Sequence, residues 1–167
     1  MDWIFINKVH QDWISILIAS NLILLSLTKW RYDRKFISFF KSVDPSVYFN
    51  NYGNNFFFNR FFGANILIFS VANVSLFLIF ILNSLDLIEI DIISFLILFS
   101  FLLSIGFLSY LLNSILGQIL AVKKETLAFS FNNLRFLFRV SIFIFIILII
   151  HHFYFSDRLI FLRTTSF

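Results

Sequence analysis

Cysteine is absent from the chain. Disulfides, thiolate zinc sites, iron–sulfur ligation and a cysteine nucleophile are therefore excluded. Proline occurs once and glycine four times in 167 residues. Turn-makers are scarce, which fits long helices joined by short connections. Charge is thin as well: Asp, Glu, Lys and Arg make up 13% of the chain, where a soluble domain carries about a quarter.

What is present is apolar. Hydrophobic residues account for 60% of the sequence, against about half in a soluble domain. A core built from so short a chain cannot absorb that much apolar surface. Lipid can, because it replaces water around the outward side chains. Phenylalanine alone contributes 27 residues. With Ile and Asn also abundant, this reads as the bias that AT-rich coding produces, and no site is drawn from any Phe cluster.

A bilayer core about 30 Å thick is crossed by roughly 20 mostly apolar residues in a helix. Four segments of a single membrane domain, 1–167, meet or approach that length: about 13–28, 61–82, 92–112 with a continuation to Val122 left open, and 136–155, with VSIFIFIILII at the centre of the last. Trp13 and Trp30 stand 17 residues apart, about 25 Å along a helix, as two levels of an interfacial aromatic belt would. The runs are about three times the usual strand length and lack the alternation of a membrane barrel. Open sheet edges cannot face lipid. The expected fold class is all-α, a polytopic transmembrane bundle of about four spans plus an interfacial amphipathic helix. The first run has Asp2, Lys8 and Asp12 ahead of it and its basic residues behind it. That is the reverse of a signal peptide, so the run is expected to be retained.

The net charge of +4 is unevenly placed. Lys29, Arg31, Arg34, Lys35, Lys41 and Arg60 lie between the first and second runs. Asp86, Glu89 and Asp91 lie between the second and third. Lys123, Lys124, Arg135 and Arg139 lie between the third and fourth or at the start of the fourth. The positive-inside rule puts both basic connections in the cytoplasm. Both termini are then outside, with ten Lys/Arg inside against Lys8, Arg158 and Arg163 outside. Within the basic segment 31–44, Phe36, Phe39, Phe40 and Val43 share a helical face while Arg34, Lys35 and Lys41 lie mostly elsewhere. That pattern suits a helix in the interface with Arg31, Arg34, Lys35 and Lys41 near anionic headgroups. Asp44-Pro45 is expected to stop it, and NNYGNN to form a polar turn. A nucleic-acid patch is the less natural reading of the same charges beside so many Phe residues.

Ionisable residues inside a membrane are functional candidates. The centres of the first three runs hold none, which argues against a proton relay or an ion-coupled transporter. They do hold small and weakly polar residues. Ser109, Asn113, Gly117 and Ala121 recur every four positions and are expected to form a stripe on one helix face. Such stripes serve close helix packing; the sharper alternative is a polar path. Asn21, Asn73 and Asn113 are the first candidates, because an amide in hydrocarbon is costly unless paired. His151 and His152 are adjacent and point about 100° apart on a helix, a poor arrangement for sharing a metal; His10 is isolated. Asp86, Glu89 and Asp91 read as topology markers. No catalytic triad, phosphate loop or paired carboxylate site is visible, and no cofactor or metal is implied.

The stretches QDWISILIASNLILLSLTK, YDRKFISFFKS, SVYFNNYGNN and LLNSILGQILAVKKETLAFSF resemble the domain-of-unknown-function 4271 family, over roughly Gln11 to Ser156. The resemblance implies a polytopic bacterial inner-membrane protein. It carries over no activity, cofactor or catalytic residue. Members of that family continue with further hydrophobic segments where this chain stops at DRLIFLRTTSF, so a short form or a missing carboxyl end is implied. The expected role is a subunit, scaffold or assembly partner of a larger membrane complex. A transporter or channel component, an organelle-encoded respiratory-complex subunit in a mitochondrial inner membrane, and a lipid-acting enzyme are the alternatives; the last lacks a convincing acid–base pair.

Overall fold

The computed structural model describes residues 12–41 and 61–155. Among them are five helices and no strand: α1 (Asp12–Arg31), α2 (Asp33–Lys41), α3 (Phe62–Ser84), α4 (Ile92–Ile119) and α5 (Lys123–Ile150), the last running into a π turn at His151–Phe155. Four of them, all but α2, are long and apolar enough to cross a membrane. The fold is all-α, and the chain is an integral membrane protein. Lys8, His10, Val43, Asp44-Pro45, NNYGNN, Arg60, Arg158 and Arg163 lie outside the described residues.

The helices pack on α3. Half of its apolar window is buried, including Phe62, Ile66, Phe69, Asn73 and Leu76 at steps of four and three. The opposing stripe of α5 is Phe131, Leu134, Phe138, Ser141, Phe145 and Leu148, also at alternating steps of three and four. Such a period of 3.5 is the seam along which two helices interlock. The pairing is parallel: Phe69 meets Phe138 and Phe145 with ring centroids 5.8 and 5.5 Å apart, and further along Phe80 meets His151 at 5.0 Å. In lipid this close packing, with interhelical hydrogen bonds, replaces the hydrophobic drive of water.

The same seam explains one departure from the expected spans. α5 begins at Lys123, thirteen residues before the expected start at Phe136. Hydropathy falls across Lys123–Arg139 because of the charges. The 3.5-residue stripe does not, since Phe131 and Leu134 continue it and Arg135 and Arg139 fall off it. The other three spans sit within a few residues of the expected limits, and the continuation of the third is real as far as Ile119.

α1 lies on α3 through Ile14, Ile18, Asn21 and Thr28, again at heptad spacing. Trp30 is 83% exposed, as a belt residue should be. Trp13 instead turns inward and meets Phe95 at 5.7 Å. α2 follows α1 after one residue. Its apolar face is occupied by the bundle: Phe39 is fully buried and meets the rings of Phe62, Phe131 and Phe138 at 5.7, 5.2 and 5.9 Å. Among the described residues of that face, Phe40 is the most exposed, at 45%.

The chain therefore has a basic end and an acidic end. The basic end carries Lys29, Arg31, α2 and Arg135. The acidic end carries the turn with Asp86, Glu89 and Asp91, together with the start of α1 and the finish of α5. Asp91 caps α4 by accepting from the Ser94 amide at 2.8 Å, a structural role beyond marking topology. α4 is the outermost helix, with only 6% of its apolar window buried.

Candidate functional site

The polar side chains of the spans bond to one another across helices. Along α1 they form three levels, at Ser15, Asn21 and Thr28. The steps between them are six and seven residues, about 9 and 10 Å.

The middle level is the deepest. Asn21 Nδ2 donates to Asn73 Oδ1 at 3.1 Å. Asn73 Nδ2 donates to the Phe69 carbonyl of its own helix at 2.9 Å and to Ser141 Oγ at 3.2 Å. Asn73 and Ser141 are fully buried and Asn21 nearly so. One amide thus ties α1, α3 and α5 together, with both donors and its acceptor engaged. At the basic end Thr28 Oγ1 donates to the Leu24 carbonyl at 2.7 Å and accepts from Asn65 Nδ2 at 3.0 Å. At the acidic end Ser15 Oγ and His152 Nε2 share a hydrogen bond of 2.6 Å. His151 turns the other way, onto the Phe80 ring, so the two imidazoles face different helices.

Asn113 does not join this group. It belongs to the contact between α4 and α5, where its Nδ2 reaches Ser130 Oγ at 3.4 Å. One turn further on, Gly117 is buried against Thr126. The expected stripe is shorter than the sequence suggested. Ser109 is exposed, and Ala121 lies past the end of α4 in the turn, with φ of 55°. The reason is geometric: a step of four residues overshoots one turn by about 40°, so the face at Ser109 has rotated about 80° by Gly117. Of the basic candidates, Arg31, Arg34 and Lys41 are exposed and Lys35 is half-buried. Lys35 and Arg31 lie about the ring of Tyr32, at 6.0 and 5.9 Å.

Sequence reasoning missed Ser141, Asn65, Thr28, Ser130 and the Ser15–His152 pair. Ser141 carried a signal, since it sits on the 3.5-residue stripe of α5. The partners on other helices carried none. Two buried polar atoms among the described residues lack a partner, Trp13 Nε1 and Ser70 Oγ.

A Cβ at Gly117 would overlap Thr126 Oγ1, with Thr126 Cβ at 3.2 Å. A methyl can be met by rotating the threonine; a leucine cannot. Gly117→Leu is expected to destabilise the α4–α5 pair by about 2 kcal/mol, the usual range for overpacking, and Thr126→Ala to restore part of it. The measurement is the unfolding midpoint in a denaturing-detergent titration. An unchanged midpoint would mean the two helices do not meet at Gly117.

Comparison with family models, with curated proteins and with solved structures gives no match to this chain. The resemblance to the domain-of-unknown-function 4271 family rests on the quoted segments alone.

Proposed function

We propose that this protein is a small structural subunit or assembly scaffold of a larger membrane complex, and that α4 is the helix offered to the partner. The observation that carries this reading is the bareness of α4. Only 6% of its apolar window is buried, while α1 and α5 bury 22% each and α3 buries 50%. Ile97, Phe101 and Leu108 on it are each more than half exposed. The polar side chains add support. Asn21, Asn73 and Ser141 are committed to one another, which favours a scaffold over a transporter or channel component with a polar lumen.

We further place the basic end in the cytoplasm of a bacterial inner membrane, by the positive-inside bias, with Arg31, Arg34, Lys35 and Lys41 against anionic headgroups. The chain has no native cysteine, so single-cysteine labelling reads orientation cleanly. Cysteine at position 34 should react with a membrane-impermeant reagent only after the cells are opened, and cysteine at position 86 in intact spheroplasts. The reverse pattern overturns the orientation.

The functional test is purification in mild detergent followed by native mass measurement. A stable complex is expected. Substituting Phe101 and Leu108 by alanine should release the partner, while the same change at exposed Leu22 and Leu27 of α1 should not. Recovery of the wild type solely as a lone, folded monomer would overturn the reading.

A further inference from the structure

A second face of α5, centred about 130° from its buried seam, has a different composition. Arg135 and Arg139 stand four residues apart, and Phe143, Ile146 and Ile150 continue the same face toward the acidic end. Successive offsets from Arg139 of −4, +4, +7 and +11 keep all five within a sector of about 80°. The three apolar members are 70%, 49% and 50% exposed. From Arg139 to Ile150 the stripe is about 16 Å long, close to the depth of one leaflet of a core about 30 Å thick.

Arg139 is not a free surface cation. Its Nη2 donates to the Phe40 carbonyl in the last turn of α2 at 2.8 Å, and its guanidinium lies 5.9 Å from the Phe40 ring centroid. α2 is itself seated by buried Phe39. The guanidinium is therefore held at the head of an apolar stripe, with further N–H donors beyond the one used. Arg135 stands one turn behind it and donates to Asn132 Oδ1 at 2.9 Å. Like charges four apart on a helix repel. Among the described residues, α5 and α2 together contain two acidic residues, Glu125 and Asp33, neither on this face within a turn of Arg139.

We infer that Arg139, backed by Arg135, binds the phosphate of an anionic phospholipid whose acyl chain lies along Phe143, Ile146 and Ile150. A phosphate oxygen accepts from guanidinium N–H in the geometry that arginine favours. Net charge selects the lipid class. An anionic headgroup relieves the repulsion between the two arginines, whereas the ammonium of a zwitterionic headgroup adds a third positive charge beside them. Held headgroup and greasy stripe match the two halves of one lipid. The site is on α5 and stands whether or not α4 docks a partner, and in either orientation of the chain.

The test uses the full chain in bilayers of equal phosphatidylglycerol and phosphatidylcholine, with native mass spectrometry reading the lipids that stay bound on release. Phosphatidylglycerol should be retained over phosphatidylcholine. Arg139→Gln and Arg135→Gln should each lower that preference about fivefold, the effect expected of one cation at an anionic surface. Lys29→Gln, exposed at the end of α1 and outside the residues placed against headgroups, should leave it near wild type. Arg135→Gln keeps the Arg139–Phe40 bond, so it carries the test if loss of Arg139 unseats α2. The inference is overturned if wild type shows no preference. It is also overturned if Lys29→Gln erodes the preference as much as the α5 variants, which would mark a diffuse surface field. A polypeptide, with no lipid, cross-linked to position 143 would overturn it too.

Discussion

Asn73→Ala is expected to destabilise the bundle by about 2 kcal/mol and to loosen α1 and α5 from α3 together. Each interhelical hydrogen bond in a membrane contributes about 0.6 kcal/mol on average and at most about 1.7. Asn73 makes two of them, to Asn21 and to Ser141. Their loss also strands the Asn21 amide in a buried position, and an orphaned buried polar group costs about 1–3 kcal/mol. Ser141 softens the effect, because a serine hydroxyl can turn back to its own helix. Ser75→Ala is the comparison. Ser75 is equally buried, but its hydroxyl bonds only the Val71 carbonyl of α3, so its loss should stay within a few tenths of a kcal/mol. The double change Asn21→Leu with Asn73→Leu should cost less than the sum of the two single changes, since no amide is then left unpaired. Unfolding in a denaturing-detergent titration reads all five variants. Equal losses for Asn73→Ala and Ser75→Ala would show that the contact to α1 and α5 carries no energy.

The asparagines show how far the sequence reaches. An amide in hydrocarbon has to be paired, so Asn21, Asn73 and Asn113 stand out by residue type and position alone. Which side chain answers each of them depends on the order in which helices neighbour one another. Asn21 and Asn73 meet because α1 lies on α3. Asn113 meets Ser130 because the short turn after Ile119 folds α5 back on α4. No local pattern distinguishes these outcomes. Ser109 fails for a different reason: spacing by four follows a helix face only briefly before the face turns away.

Span limits follow the same division. Where a run is uniformly apolar, as in α3, its ends are legible from composition; α4 starts where expected and runs seven residues past Leu112, to Ile119. α5 is not such a run, because Arg135 and Arg139 interrupt the hydropathy while its buried stripe continues through Phe131 and Leu134. Periodicity would have carried the helix back to Phe131; average hydropathy could not. For α2 the spacing of Phe36, Phe39 and Phe40 makes the amphipathic helix plain. It does not say whether lipid or protein receives the apolar face.

That question has a measurable answer at Phe39. Phe39→Ala is expected to cost about 3 kcal/mol, the low end of the range for emptying a buried phenylalanine site, and to free α2 from the bundle. The residue is wholly enclosed, and its ring is met nearly edge-on by Phe62 and Phe131 and at 53° by Phe138. Each such pair adds roughly 0.5–1.5 kcal/mol beyond the area it covers. Once they are gone, the contacts of α2 that remain among the described residues include the half-buried Phe36 ring against Phe138 and the bond from Arg139 to the Phe40 carbonyl. A nine-residue helix is too short to persist without packing. Amide hydrogen exchange over residues 33–41 should therefore rise sharply in the Phe39 variant. Phe40→Ala should change it little, because Phe40 is nearly half exposed. If lipid were the true partner of this face, positions 39 and 40 would respond alike, and similar exchange in the two variants would unseat α2 from the bundle altogether.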